Sequence, residues 1–187
     1  MSESPAVKRT SRLKLLMLAA IFFVPVATAF ILYNRGWRPT GSTNHGELLQ
    51  PIRQLPASAA SLRGKWTLIY MGDGACNEAC RHTLWVARQT HISLNKDMPR
   101  IGRALFATSS CCDRAFLDKE HQGITVFDAA TSTAISELQG VLPPGDHAND
   151  LFITDPLGNI VMRFDAREDP HGLLDDLKKL LKLSSIG

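Results

Sequence analysis

The chain has 187 residues, of which 44% are apolar and 21% are charged, and its formal net charge is +3. This length suits one domain with additional segments, and the apolar share excludes an intrinsically disordered chain. The positive excess lies near the N-terminus, where Lys8, Arg9, Arg12 and Lys14 are opposed only by Glu3. The rest of the chain is balanced in charge, so we expect no extended basic surface and no nucleic-acid partner.

A long apolar run follows this tail and predicts a membrane anchor. No charged residue occurs from Leu15 to Leu32, and a helix of that length just crosses the hydrocarbon core of a bilayer. A cleaved signal peptide is the alternative, with Ala27-Thr28-Ala29 as its cleavage site, but the apolar regions of signal peptides are usually shorter. We therefore predict a cytoplasmic tail over residues 1–14 and a transmembrane anchor over residues 15–33.

The basic residues before the anchor also predict its orientation. Because positive charge favours the cytoplasmic side, we expect a single-pass protein of the inner (cytoplasmic) membrane. Its N-terminus would lie in the cytoplasm and its C-terminal domain in the periplasm, where thiol pairs can be oxidised.

The exported part divides by composition into a linker or arm and a domain. Residues 34–62 are rich in Gly, Ser, Thr and Asn, and Pro39, Pro51 and Pro56 limit helix formation. Residues 63–187 are long enough to enclose one hydrophobic core.

Periodicity and turn residues predict strands alternating with helices in this domain. The predicted strands are residues 65–71, 100–108, 124–127, 150–155 and 160–164, and the predicted helices are residues 77–95, 133–138 and a final one from Pro170. Residues 156–159 form a hairpin turn between the last two strands. This order predicts an α/β sandwich with a mixed central sheet, preceded by one transmembrane helix.

Cys76 and Cys80 are the strongest chemical signal in the sequence. They follow a predicted buried strand and a Gly72-Asp73-Gly74 turn, at the start of a predicted helix. Residues four apart on a helix share one face, so the two thiols can form a disulfide or bind one soft metal ion. A helix N-terminus also lowers a thiol pKa by stabilising the thiolate. Buried structural cysteines, or a purely structural disulfide, are the alternative.

Cys111 and Cys112 follow the second predicted strand and offer an auxiliary redox pair. Adjacent cysteines can be buried, form a vicinal disulfide or pair with Cys76 and Cys80. Four cysteines allow three pairings within the chain, and the sequence does not choose among them.

The histidines are less informative. His147, in a Pro/Gly-rich loop, is by itself most simply an exposed loop residue. The other histidines of the domain are interpreted as surface or hydrogen-bonded side chains, because no metal-ligand spacing links them; they are His82, His91, His121 and His171. Together with two thiolates, however, one imidazole would complete a soft site suited to copper.

The segment from Gly74 to Cys80, placed after Lys65-Trp-Thr-Leu-Ile-Tyr-Met71, resembles the Cys-x-x-x-Cys segment of the Sco family. His147 stands nine residues before Pro156, which is similar to the spacing between the family's histidine and its own Pro-x-Gly turn. The resemblance is that of a diverged relative of the family, and it implies a membrane-anchored, thioredoxin-like protein. It also implies a copper site formed by Cys76, Cys80 and His147, and a role in assembling cytochrome c oxidase.

The same resemblance implies a respiratory oxidase subunit, or another copper or thiol assembly factor, as the partner. Two alternatives remain open at the level of sequence. One is a metal-free thiol–disulfide oxidoreductase, in which Cys76 and Cys80 form the catalytic redox pair. The other is a non-catalytic thioredoxin-fold binding module that the cysteines only stabilise.

Overall fold

The computed structural model describes residues 5–35, 44–109 and 114–184, with side chains from residue 14 onward in the first range. The chain divides into two compact units, Met1–Ser42 and Thr43–Gly187.

The described residues of the first unit form the helix α1 (Pro5–Asn34). Its segment Lys14–Asn34 is long and apolar enough, by length and composition, to cross a membrane. Most of its large apolar side chains, from Leu15 to Ile31, are exposed. The apolar helix predicted over residues 15–33 is therefore confirmed as a helix, which begins earlier, within the predicted tail.

The second unit is built on a six-stranded sheet. Its strands are β1 (Glu47–Gln54), β2 (Trp66–Gly72), β3 (Ile101–Ala107), β4 (Thr125–Asp128), β5 (Asp150–Thr154) and β6 (Asn159–Asp165). Its helices are α2 (Glu78–Ser93), α3 (Arg114–Glu120), α4 (Ala134–Val141) and α5 (Pro170–Leu183), with short 3-10 helices at Ala57–Leu62 and Asn95–Arg100.

The sheet is mixed, as predicted. Its strand order is β1-β6-β5-β2-β3-β4; β2, β3 and β4 run parallel, whereas β5 is antiparallel to β2 and to β6. Tyr70 of β2 pairs with Leu151 of β5. Because β5 runs opposite to β2, the beginning of β5 lies at the same edge of the sheet as the end of β2. The loops after β2 and before β5 therefore meet at this edge.

Both faces of the sheet are covered, which explains the continuous apolar run of β2. Every residue of β2 is buried. Leu68 packs with side chains of α2 and α5 in one core, and Ile69 packs with α4 and the 3-10 helix at Ala57–Leu62 in the other. Successive strand residues point to opposite faces, so a central strand needs apolar residues at every position.

The structure corrects the predicted linker. Residues 47–54 form the edge strand β1, antiparallel to β6, and Ala57–Leu62 forms a 3-10 helix that packs against the sheet. The boundary between the units lies between Ser42 and Thr43 rather than at residue 62. Pro51 concealed the strand in the sequence, because proline cannot donate to a ladder; an edge strand tolerates it.

A buried carboxylate fixes the chain just before β1. Asp176 of α5 is 1% exposed, and its Oδ2 accepts hydrogen bonds from the backbone N–H groups of His45 and Gly46, both at 2.8 Å. A side chain at Gly172 would come within 2.8 Å of the His45 side chain. Glycine is needed there because α5 and this segment approach closely.

Candidate functional site

Cys76 and Cys80 lie in the loop between β2 and α2 and at the beginning of that helix. Asn77 caps the helix: its Oδ1 accepts a hydrogen bond from the Cys80 N–H at 3.0 Å. The structure joins Cys76 and Cys80 in a disulfide, with their Cα atoms 5.0 Å apart. This is one of the pairings that the sequence left open.

The two sulfur-bearing residues differ in environment. Cys80 is fully buried in the core beside α2, whereas Cys76 retains 5% exposure. Cys76 also has a φ of +49°, in the left-handed region that L-residues other than Gly, Asn and Asp seldom adopt. Such backbone conformations cluster at functional sites, where the surrounding structure maintains them. Cys76 is thus the more accessible member of the pair and has the more constrained backbone.

The turn before the disulfide is organised by Asp73 and Ser109. The Asp73 carboxylate accepts hydrogen bonds from the Ser109 hydroxyl and the Ala75 N–H, and the Gly74 N–H donates to the Ser109 Oγ at 3.1 Å. The Ser109 hydrogen bond, followed by the Ala75 bond, lowers the pKa of Asp73 below its ordinary value. The end of β3 is thereby joined to the loop that carries Cys76.

His147 is buried, so its interpretation as an exposed loop residue is wrong. Its side chain is 8% exposed, Nδ1 lies 2.8 Å from Asp150 Oδ2, and Nε2 lies 2.8 Å from the Pro143 carbonyl oxygen. Both partners are hydrogen-bond acceptors. The Asp150 carboxylate also accepts a hydrogen bond from Arg163 Nη1, at 3.4 Å. His147 precedes the first residue of β5 by three positions, and its two contacts hold the loop before β5 in place.

A polar cavity of about 400 Å³ separates the two loops. Asp73 and Asn77 line it from the disulfide side, and residues 143–148, including His147, line it from the other. Tyr70 forms part of the wall, and its hydroxyl donates a hydrogen bond to the Ala148 carbonyl oxygen at 3.0 Å. Burial, and then the nearby Asp146 and Asp73 carboxylates, raise the pKa of Tyr70 to about 12, so this hydroxyl stays protonated.

Sequence reasoning did not select Tyr70 or Asp150. A tyrosine at the end of an apolar strand, next to the Gly72 turn, was the available signal for Tyr70. The signal for Asp150 was a carboxylate three residues after His147, which is within reach of the histidine when both lie in one turn.

The fit of a copper ion depends on the oxidation state of the cysteines. In the disulfide the two sulfurs are not thiolates, and thiolates are the ligating form. Within residues 5–35, 44–109 and 114–184, no group of three or more His, Cys, Asp or Glu side chains is arranged to hold a metal. After reduction, Cys76 and Cys80 would supply two soft donors. The Asp150–His147 hydrogen bond is typical of the outer partner that orients a ligand histidine.

The auxiliary pair Cys111 and Cys112 lies outside the described residues. Met71 is buried in the core and Met98 is partly exposed on the 3-10 helix at Asn95–Arg100.

His121 is not on the surface. The residue is 3% exposed, and its Nδ1 has no hydrogen-bond partner. Burial, reinforced by the charges of Arg103 and Arg88, lowers its pKa to about 4. The interpretation of His82 and His171 as surface or hydrogen-bonded side chains agrees with the structure. His82 is exposed and contacts the Ala166 carbonyl oxygen, and His171 is exposed beside Asp169.

Comparisons with solved structures identify the fold. Apo Sco1 from Thermus thermophilus is similar at 15% identity and a TM-score of 0.58, covering 76% of this chain and 99% of that one. Yeast Sco1 with copper bound is 16% identical, with a TM-score of 0.57 and coverage of 76% and 95%. ScoI from Bradyrhizobium japonicum with copper bound is 19% identical, with a TM-score of 0.51 and coverage of 68% and 96%.

These structural similarities confirm the predicted thioredoxin-like fold and the resemblance of the chain to Sco proteins. A search of curated protein sequences found no match. A protein-family profile, described as the transmembrane-like, thioredoxin-like, C-terminal domain, matches residues 66–184. That range begins with β2 and ends just after α5, so it includes both loops of the candidate site. The chain therefore belongs to the transmembrane-like, thioredoxin-like, C-terminal domain family.

Proposed function

We propose that this protein is a membrane-tethered, Sco-like factor that handles thiols and copper during assembly of a respiratory cytochrome c oxidase. The single observation that carries the proposal is the Cys76–Cys80 disulfide at the start of α2, in a loop whose residues Asp73 and Asn77 line the same polar cavity as His147. A thioredoxin-like domain with two cysteines at this position can alternate between a disulfide and a dithiol.

The thiol reaction requires one accessible sulfur. In the reduced protein the Cys76 thiolate would attack a client disulfide, forming a mixed disulfide and releasing one client thiol. Cys80 would then attack Cys76, forming the Cys76–Cys80 disulfide and releasing the second client thiol. Two electrons and two protons pass to the client. The greater exposure of Cys76 makes it the attacking residue.

Copper would be cargo of the reduced protein. Two thiolates suit Cu(I), and an imidazole from His147 would be the third ligand. The Asp150 carboxylate would accept a hydrogen bond from His147 Nδ1–H, so that Nε2 could release its proton to solvent and exchange its contact with the Pro143 carbonyl oxygen for the metal. Copper was bound in the similar yeast and Bradyrhizobium proteins.

The apolar, exposed surface of α1 supports tethering to the inner membrane, because so much apolar surface is unfavourable in water. With the N-terminus in the cytoplasm and the domain in the periplasm, the tether would raise the effective concentration of the domain near a membrane-embedded oxidase subunit. The tether would likewise raise the effective concentration of the domain near another membrane-bound copper or thiol assembly factor, which is the alternative partner.

An anaerobic competition for Cu(I) tests the metal proposal. Reduced full-length protein in a neutral detergent would compete with a chromophoric Cu(I) chelator, alongside Cys76→Ser, Cys112→Ser and His147→Ala. We expect Cys76→Ser to abolish competition and His147→Ala to weaken binding by more than about tenfold, because each removes a ligand. The control His171→Ala should bind as the wild type does.

Each other outcome has a defined meaning. Loss of competition in Cys112→Ser, with His147→Ala unchanged, would indicate a site formed by thiols alone. Absence of competition by the reduced wild-type protein would exclude the copper role.

A metal-free oxidoreductase, with Cys76 and Cys80 as its catalytic pair, is the second candidate. The disulfide, and the slightly greater exposure of Cys76 than of Cys80, favour it. A reduction potential of the pair that equilibrates with a thioredoxin partner would support this candidate. A pair that stays oxidised under those conditions, and whose removal changes only stability, would indicate the non-catalytic binding module.

A further inference from the structure

A second cavity, of about 340 Å³, lies beside the α2 face of the sheet. Three basic side chains line it, Arg88 from α2, Arg103 from β3 and Lys119 from α3. We call it the cationic cavity. Arg103 is at the register position opposite Leu68, in the middle of β2. The cavity is therefore separate from the loops at the disulfide edge.

The Arg103 guanidinium is buried but only partly satisfied. The residue is 8% exposed, and its Nη2 donates a hydrogen bond to the Gln122 carbonyl oxygen at 2.7 Å. Its Nη1 is buried without a hydrogen-bond partner. Burial of an ionised group with an unused donor is unfavourable, so such groups are usually paired with an anion.

Neighbouring charges increase this cost instead of relieving it. Within the part of the chain that the structure describes, no carboxylate lies within ion-pair distance of Arg88 or Arg103. The one carboxylate of the cavity wall, Glu120, pairs with Lys119 at 3.8 Å. Burial, and then the charge of Arg88, lower the pKa of Arg103, which indicates that the two guanidinium groups interact unfavourably.

The histidine of the cavity wall, His91, does not compensate the positive charge either. His91 Nε2 contacts the Ile101 carbonyl oxygen at 3.0 Å. Burial, followed by the charge of Arg103, lowers the pKa of His91, so the ring is neutral near pH 7 and donates Nε2–H to that oxygen. The cavity therefore carries more positive than negative charge and contains an unused guanidinium donor.

We infer that the cationic cavity is a binding site for a phosphate group, held between the guanidinium groups of Arg88 and Arg103. Guanidinium presents parallel N–H donors that match two phosphate oxygens, and these charge-assisted bonds are stronger than neutral ones. A phosphate in the cavity would neutralise the repulsion between the two arginines. A small rotation of the Arg103 side chain would also let its buried Nη1, which has no other partner, donate a hydrogen bond to a phosphate oxygen. This site does not depend on the chemistry of Cys76 and Cys80.

Isothermal titration of the full-length protein in a neutral detergent tests the inference. One arm uses inorganic phosphate, with sodium chloride at equal ionic strength as the reference. The second arm uses dihexanoyl phosphatidylglycerol, a water-soluble lipid, to distinguish a lipid headgroup from free phosphate.

Two substitutions probe the site, and a third is the matched control. We expect Arg103→Lys to weaken binding by about tenfold, because it keeps the charge but loses the bidentate geometry. Arg88→Gln, at a half-buried position that should not impair folding, is expected to weaken it by a similar factor. Lys96→Gln removes one exposed positive charge outside the cavity and should change affinity by less than about twofold, because exposed charges are screened.

Saturable binding in either arm that both arginine variants weaken would support the site and identify the source of the phosphate. Binding in neither arm would overturn the inference. Binding that Lys96→Gln weakens as much as Arg88→Gln does would also overturn it, because the interaction would then depend on net charge alone.

Discussion

His147 and His121 are buried in two regions of opposite electrostatic character. At the disulfide edge, formed by residues 73–80 and 143–150, His147 contacts a carboxylate and a carbonyl oxygen. His121 is influenced by the positive charges of Arg103 and Arg88, and its Nδ1 has no hydrogen-bond partner. One residue type therefore orders a loop in the first region and is kept neutral in the second. Both histidines are buried, but the groups near them differ: a carboxylate and a carbonyl oxygen at His147, and two guanidinium groups at His121.

Among the variants that test this comparison, substitution of Asp150 is expected to change stability the most. Asp150→Ala should lower the free energy of unfolding by about 3 kcal/mol, because it leaves Nδ1 of the buried His147 without its hydrogen-bond partner. Urea unfolding monitored by circular dichroism would measure the loss, with the exposed Asp175→Ala as the control. Equal stability of these two variants would show that the His147–Asp150 contact does not order the loop.

His121 should make stability depend on pH in the opposite region. Its folded-state pKa of about 4 lies below its ordinary value of 6.5, so the unfolded chain binds the proton more readily. Stability is complete above the ordinary pKa and decreases as pH falls toward the folded-state pKa, by up to roughly 3 kcal/mol. His121→Leu should remove this component from unfolding curves over that range, and His171→Gln should retain it. A pH dependence unchanged in His121→Leu would contradict the assigned environment.

Removing the disulfide should produce a smaller loss at the first region. The double variant Cys76→Ala/Cys80→Ala is expected to lose about 2 kcal/mol, since a short loop removes little entropy from the unfolded chain. Thermal unfolding with and without reductant would measure it. The difference from wild type should largely disappear in reductant, and a difference that persists at full size would show that packing, rather than the covalent bond, is responsible.

Tyr70→Phe should cost about 1 kcal/mol, because it removes one hydrogen bond, to Ala148, without changing the shape of the buried ring. Urea unfolding would measure this loss, and hydrogen exchange of the amides of residues 146–148 should become faster. Unchanged exchange would mean that the Tyr70 hydroxyl does not stabilise the His147 loop.

The smallest effect is expected at the exposed Asp73. Because its folded-state pKa is lowered below the ordinary value of 3.8, its contribution is present above that pH and is lost as pH falls through the folded-state pKa. Asp73→Asn should therefore reduce the acid sensitivity of unfolding slightly. A matched Asp118→Asn variant, at another exposed carboxylate, controls for the change in charge, and identical acid profiles for the two would contradict the Asp73–Ser109 contact.

The sequence predicted the elements whose pattern is local. The apolar run of β2, the spacing of apolar residues along α2 and the leucine-rich sequence of α5 each indicate their element without information from the rest of the chain. It did not predict β1 or α3. β1 contains a proline and few buried residues, and it is a strand only because β6 pairs with it. α3 has seven residues and one buried side chain, Leu117, which gives too little periodicity to recognise.

The candidate site divides in the same way. The position of Cys76 and Cys80 at the start of a helix follows from nearby residues, and so does the apolar character of the N-terminal helix, because chain-local spacing decides both. The burial of His147, its place on the same cavity as Asp73, and the meeting of Arg88 with Arg103 were decided by the tertiary structure. The first two depend on the pairing of β2 with β5, and the third depends on the packing of α2 against β3, so each involves elements that are separate along the chain.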